Sequence, residues 1–181
     1  LGIARRLNGK MMQSLEPCLV PADSPLGMIE DVYNAVYVDG DSVDTPMLTG
    51  RGAGEGPTAS AVLSDIVDLA RGANVPAFGI PAGALKDADW VDPEDTVSSY
   101  YLRLVALDKP GVIADISAIL RDHNISIEAL SQHGRDPDQP VAIVMTTHET
   151  RQGDIAAACD AFGKLDAVVE EPCLLRIEAL E

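Results

Sequence analysis

Two stretches of the chain bring together residue types able to do chemistry. The first is Gly50-Arg51-Gly52-Ala53-Gly54-Glu55-Gly56, four glycines in seven residues, running into Pro57-Thr58-Ala59-Ser60-Ala61-Val62. A strand reads before it and a helix to about Arg71 after it. Its amides would therefore lie at the positive end of a helix, where an anion is stabilised. The match to phosphate loops is partial. Glu55 stands where GxGxxG counted from Gly50 would need glycine, and no Gly-Lys-Ser/Thr follows. Residue type alone leaves two uses open, a tight strand–helix turn and a nucleotide-facing loop.

The second stretch is Asp108-Lys109-Pro110-Gly111-Val112-Ile113, with Asn124-Ile125 further on. Here the chemistry would be capture of a small zwitterion such as a free amino acid. The amides of Gly111, Val112 and Ile113 open a helix and suit a carboxylate, and Gly111 lets a ligand approach the backbone. Asp108 and Asn124, at the two ends of the βα unit, offer acceptors for an ammonium, and Ile125 would shape a side-chain pocket. The competing use is plainer: a Pro-Gly turn, a solvated Asp108, and Asn124 as a helix cap.

The elements positioning this second stretch are marked by changes of period. From Tyr101 to Leu107 the residues alternate, with Leu102, Leu104 and Ala106 facing one way and Tyr101, Arg103, Val105 and Leu107 the other. After Gly111 the spacing turns helical, placing Val112, Ile113, Ile116, Ile119 and Leu120 on one face, with a stop near His123-Asn124. A strand follows from Ile125, then a polar turn over Gly134–Gln139, then a β-branched strand from Val141 to Thr147. Thr150 is placed to cap a helix whose inner face is Ile155, Ala158, Cys159 and Phe162. A last strand, Ala167–Val169 with Cys173–Ile177, is interrupted by Pro172, which suggests an edge or a bulge. The order is βαββαβ, the ferredoxin-like arrangement: a four-stranded antiparallel sheet with both helices on one face. Such a sheet leaves one face and an edge open, so pairing of two copies into a homodimer or larger assembly is expected.

In the first half, Leu1–Arg6 and Met11–Val20 read as strands around an Asn8-Gly9 hairpin turn. Ser24-Pro25 reads as the start of a short helix to about Asp31. Ala35–Val38 and Thr45–Thr49 read as strands, and the helix after the glycine loop has Val62, Ile66, Leu69 and Ala70 on one face. Residues 73–95, rich in Pro, Gly and acids, read as an extended linker. The expected division is 1–95 and 96–181.

The 181 residues carry 46% hydrophobic content and a formal net charge of −16. That balance supports a packed core and opposes binding to nucleic acid or anionic lipid. Three scattered cysteines and no apolar run of membrane-spanning length point to a reducing, cytoplasmic setting. His123, His133 and His148 have no metal-ligand spacing and read as surface histidines, as do Arg5, Arg6 and Lys10 as surface charges. The chain starts at Leu1, within an apparent strand, and reads as the C-terminal piece of something longer.

Two resemblances follow from these residues. DKPGVIADISAILRDHNISIEALSQ resembles an ACT domain, a βαββαβ module that commonly binds amino acids. LGIARR, PLGMIEDVYNAVYVDGD and above all GRGAGEGPTASAV resemble the C-terminal part of bacterial homoserine dehydrogenase, in which an ACT domain follows the same segment. The fold class implied is α+β: a C-terminal ferredoxin-like ACT domain preceded by an incomplete α/β segment of the catalytic and cofactor region. The resemblance implies NAD- or NADP-dependent interconversion of L-homoserine and L-aspartate 4-semialdehyde. The dinucleotide fingerprint and the catalytic lysine and aspartates of that family lie upstream of the matched region, so the chain alone is expected to be inactive. It further implies that Gly52, Ala53 and Gly54 lie beside the nicotinamide end of the cofactor. Asp108, Gly111, Val112, Ile113, Asn124 and Ile125 are implied to form an allosteric site, with threonine the ligand expected. The rival reading is a non-enzymatic amino-acid-binding regulator.

Overall fold

The computed structural model describes residues 1–42, 44–73, 76–133 and 139–179, the His133 side chain excepted. Residues 134–138 of the expected polar turn fall outside that range. In chain order the first half holds β1 (Gly2–Leu7), β2 (Lys10–Leu15), β3 (Cys18–Leu19), β4 (Tyr33–Tyr37), β5 (Met47–Arg51) and α1 (Glu55–Ala70). The second half holds β6 (Val97–Leu107), α2 (Val112–Asp122), β7 (Ile127–His133), β8 (Pro140–Thr147), β9 (Thr150–Arg151), α3 (Gln152–Phe162) and β10 (Cys173–Ile177). These form two compact units, Leu1–Leu19 with Ala88–Glu181, and Val20–Asp87.

In the first unit, β6 alternates as its sequence requires. Ser98, Tyr100, Leu102, Leu104 and Ala106 are buried, while Tyr101, Val105 and Leu107 are half-buried and Arg103 is exposed. Leu102 and Leu104 meet Ile116 and Leu120 of α2, Ile143 and Met145 of β8, and Ile155 and Phe162 of α3 in one cluster. Each such aliphatic side chain contributes about 1.5–3 kcal/mol by leaving water. On α2 the buried stripe is Val112, Ile116 and Leu120, one residue per turn. Ile113, expected on that face, is 37% exposed, because it lies about 100° round the helix from Val112.

Antiparallel pairing gives the order β10-β6-β8-β7, with β6 and β7 parallel on either side of β8. This is the expected split βαβ sheet, with additions. The short β3 joins the outer side of β10 in parallel, and Glu178 N–H donates to Leu19 O at 2.8 Å. β3 flanks β10 only at Arg176 and Ile177, so among the described residues the Pro172 end of β10 has no outer partner strand, as the edge reading expected, and its ladder to β6 begins just after the proline at Cys173. Residues 167–169 follow the far end of β6, where Val168 bridges Ala106. Thr150 does not cap α3. It pairs with Ser98 as part of β9, and Arg151 takes the cap position without a side-chain bond.

β1 and β2 form a hairpin whose turn, Asn8 at φ 51° and Gly9 at φ 84°, has the two positive angles of a type I′ turn. Arg5, read as a surface charge, pairs with Glu178, whose side chain is 4% exposed. Met11 donates its N–H to Asp89 O and accepts from Val91 N–H, so this part of the expected linker is pinned to the hairpin by a single parallel bridge at Trp90.

In the second unit, β4 and β5 pair antiparallel through five residue pairs from Tyr33–Arg51 to Tyr37–Met47. The helix expected over 25–31 is replaced by successive turns, in which Ser24 Oγ accepts from Gly27 N–H at 3.0 Å and Ser24 O from Met28 N–H at 3.2 Å. Along α1 no residue is buried: Val62, Ile66 and Leu69, the expected inner face, are 54%, 55% and 73% exposed. Among the described residues, no helix is long and apolar enough to cross a membrane.

Candidate functional site

The glycine loop joins β5 to α1 in the second unit. Gly52 sits against Asn34: a Cβ there would stand 2.1 Å from Asn34 Nδ2, the end of an exposed side chain, so a larger residue would displace that side chain rather than the backbone. Gly54 holds the helix N-cap at φ 117°, ψ 156°, a conformation open essentially to glycine alone. Its carbonyl accepts from Thr58 N–H at 3.2 Å and Thr58 Oγ1 at 2.8 Å. Glu55 occupies the first turn, so a carboxylate already meets the helix's positive end. A shallow cavity of about 760 Å³ runs along the helix start, lined by Gly54, Glu55, Thr58, Ala59, Val62 and Leu63. Of the three residues expected there, Gly54 lines it, whereas Gly52 and Ala53 do not. Of the apolar wall, the sequence reading named Val62, as part of an inner helix face, and missed Ala59 and Leu63, though their i, i+3, i+4 spacing after the loop was visible. An apolar wall with one carboxylate suits the face of an uncharged ring better than a phosphate.

The Pro-Gly corner lies between β6 and α2 in the first unit. Gly111, at φ 98°, is the N-cap of α2. The Val112 amide donates to Lys109 O at 3.3 Å within the turn, while those of Gly111 and Ile113 have no backbone acceptor among the described residues. Asp108 Oδ1 accepts from Gln132 Nε2 at 3.2 Å, which ties the corner to β7; Gln132 was missed because its link is tertiary.

At the other end of α2, Asn124 has φ 57° and donates its N–H to Arg121 O, and Ile125 N–H reaches Leu120 O at 2.8 Å. This paired pattern is a Schellman cap with Asn124 in the left-handed position. Ile125 and Val112 are buried in the core cluster rather than lining an open pocket. Asn124 and Gly111 thus flank a helix, about 18 Å apart at 1.5 Å per residue. Within one chain the corner's amides and Asn124 do not meet, and neither cavity described for this fold is lined by any of these six residues.

Burial raises the Cys159 thiol to about 11, with Asp160 adding to the shift. Among the described residues, no group of three or more His, Cys, Asp or Glu converges as a metal site would require.

An antiparallel sheet in the order β10-β6-β8-β7 with its helices packed in one core, reached through a Pro-Gly corner, defines the class as an ACT-type domain, and residues 100–167 match the ACT domain family. Residues 1–67 match the homoserine dehydrogenase family. A homoserine dehydrogenase from Neisseria gonorrhoeae is 36% identical over 99% of this chain and 43% of its own length. One from Pseudomonas aeruginosa is 35% identical over 99% of this chain and 43% of its own. The crystal structure of a homoserine dehydrogenase from Thiobacillus denitrificans superposes with a TM-score of 0.83 at 37% identity, covering 99% of this chain and 42% of that one. The chain belongs to the homoserine dehydrogenase family, and it spans about two fifths of the length of the relatives it matches.

Proposed function

We propose that this chain works within a longer homoserine dehydrogenase, as the C-terminal portion that borders the cofactor and senses an end product. The observation that carries this reading is the tandem match, homoserine dehydrogenase over 1–67 and ACT over 100–167, in one continuous chain. The activity proposed is the NAD- or NADP-dependent interconversion of L-homoserine and L-aspartate 4-semialdehyde, in a cytoplasmic enzyme. A bound nicotinamide dinucleotide would supply or accept the hydride. In this chain Gly54 would let the ring edge approach, and Ala59, Val62 and Leu63 would exclude water from its face, which is the role the lining of the cavity supports. Gly52 would hold Gly54 in place through the close fit to Asn34. The catalytic groups belong upstream of Leu1, and the working division is 1–95 for the catalytic and cofactor portion and 96–181 for the regulatory one.

The regulatory ligand proposed is threonine. Since about 18 Å of helix separates Gly111 from Asn124, the ligand would bridge the Gly111 and Ile113 amides of one copy and the Asn124 side chain of a second. Asp108 would be drawn from Gln132 toward the ammonium. This reading requires a homodimer. An assay of NADPH oxidation with aspartate semialdehyde tests the first part. The 181-residue chain alone should show no turnover, and the chain extended upstream through a dinucleotide-binding domain should show it. Turnover by the short chain would overturn the division of labour, and none by the extended chain would favour the non-enzymatic regulator.

A further inference from the structure

In the first unit, the β1–β2 hairpin and β3 lie against β10 as a strap. β3 meets β10 only at Cys18–Arg176 and Leu19–Ile177, closed by Glu178 N–H donating to Leu19 O at 2.8 Å. Arg5 of the strap pairs with Glu178, whose side chain is 4% exposed. Arg176 Nη1 donates to Glu16 Oε1 at 3.0 Å and Ser14 Oγ at 3.4 Å on the strap, and its Nε to Ser98 Oγ of β6 at 2.8 Å. Met11 of β2 donates to Asp89 O at 2.7 Å and accepts from Val91 N–H at 2.9 Å. The seam is incompletely filled: a cavity of about 390 Å³ is lined by Met12, Ser14 and Glu16 of the strap together with Thr96, Gln152 and Arg176. Two buried donors have no acceptor among the described residues, Arg176 Nη2 and the Tyr100 hydroxyl. Tyr100 stands opposite Arg176 in the β6–β10 ladder. Burial raises its hydroxyl above the ordinary phenol range, and the charges of Arg176 and Glu16 act on it too, so it belongs to the same seam.

We infer that Leu1–Leu19 is a latched strap that lifts from β10 while the sheet beneath it stays folded. Two opposing tendencies set its equilibrium. The Arg5–Glu178 and Arg176–Glu16 pairs, the short β3 ladder and the Met11 bridge hold it down. The unmet donors favour release, because a buried donor without an acceptor regains a hydrogen bond only when water reaches it. The cavity acts in the same direction, since an unfilled seam lacks packing contacts that a filled core has. Lifting leaves both sides intact. The β1–β2 ladder, from Gly2–Leu15 to Leu7–Lys10, lies wholly within the strap, and the core cluster begins at Tyr100 and holds no strap residue. The strap opens the stretch matched to homoserine dehydrogenase, and β10 completes the ACT-type sheet. The latch itself is independent of the function proposed above; on that reading it is where the regulatory portion holds or frees the catalytic one.

Two amides report the latch, because each bonds across the seam: Glu178 N–H to Leu19 O and Val91 N–H to Met11 O. Hydrogen exchange of the 181-residue chain is followed by NMR at both, with Ile143 of β8 as the reporter of global unfolding. In the wild type, Val91 and Glu178 should share one protection factor, at least about tenfold below that of Ile143. Arg5→Met leaves the Glu178 carboxylate unpaired and should lower the protection of both seam amides about tenfold. Tyr100→Phe removes an unmet donor and should raise both about tenfold. The measurement needs neither turnover nor threonine, so its failure is distinct from failure of the function proposed above. Equal protection of Val91, Glu178 and Ile143 would overturn the strap, since the seam would then open only with the whole fold. Unequal protection of Val91 and Glu178 would overturn it as well, as separate fraying of two ends. So would seam amides unmoved by Arg5→Met, or unmoved or less protected in Tyr100→Phe.

Discussion

Asn124 carries two duties that substitution can separate. Its left-handed φ of 57° closes α2, and its side chain is proposed to meet a ligand. Asn124→Gly keeps the cap and removes the side chain, so the thermal midpoint should hold while any threonine response disappears. Asn124→Ala should lose roughly 0.5–1 kcal/mol, because alanine keeps the same Cβ crowding but lacks the short polar side chain that eases asparagine into the left-handed conformation. A stable Asn124→Ala would remove the cap from the account. Cys159 offers a second residue-scale check. With its thiol raised from 9.0 to about 11 by burial, it should alkylate far more slowly at pH 8 than it does in the urea-unfolded chain, as read by peptide mapping with iodoacetamide. The sign for stability follows. Between pH 9 and about 11 the unfolded chain gives up this proton first, so rising pH in that window weakens the fold. A denaturation midpoint flat across it would contradict the burial. The cap role of Asn124 was legible in the sequence, because it depends on neighbours a few residues away. The burial of Arg176, bonded to Ser98 Oγ at 2.8 Å and Glu16 Oε1 at 3.0 Å, was not, although one signal stood in Cys173-Leu174-Leu175-Arg176-Ile177: a charged residue at the inward step of an apolar strand.

Elements whose cause is local were readable, and those whose cause is tertiary were not. The β6 alternation, the Asn8-Gly9 hairpin turn and the i, i+4 stripe of α2 each follow from backbone geometry within a short window. Thr150 has the chemistry of a cap, yet it is taken by pairing with Ser98, far away in sequence. β3 is two residues long and exists only because β10 supplies a partner. The glycine loop was found, but its apolar wall matters only once α1 is known to leave that wall uncovered. The same contrast predicts dynamics. Backbone amides of β6 and β8, buried beneath α2 and α3, should exchange with deuterium at rates set by global unfolding. Those of α1, with no buried residue, should exchange much faster by local opening. Equal protection of α1 and β6 in the 181-residue chain would mean that α1 is covered in solution.

At the scale of the whole molecule, the two units differ in what they can do by themselves. The unit of Leu1–Leu19 with Ala88–Glu181 has a core and bears the threonine site proposed above. The unit of Val20–Asp87 presents Val36, Leu48, Val62, Ile66, Leu69 and Phe78 to solvent, each more than half exposed, and carries the loop proposed to face a cofactor. Sensing by two copies has a consequence that no single-chain site shares. If Gly111 of one copy works with Asn124 of another, each copy can lack one partner and the pair can still hold one intact site. The most direct measurement is therefore calorimetric titration of threonine into wild-type chain, into Ile113→Pro (which removes a proposed donor in the first helical turn, where proline is tolerated) and Asn124→Gly separately, and into the two variants unfolded and refolded together. Saturable heat is predicted for the wild type, none for either variant alone, and recovery of a fraction of the sites in the mixture. Heat in neither the wild type nor the mixture, or full binding by Asn124→Gly alone, would contradict the account.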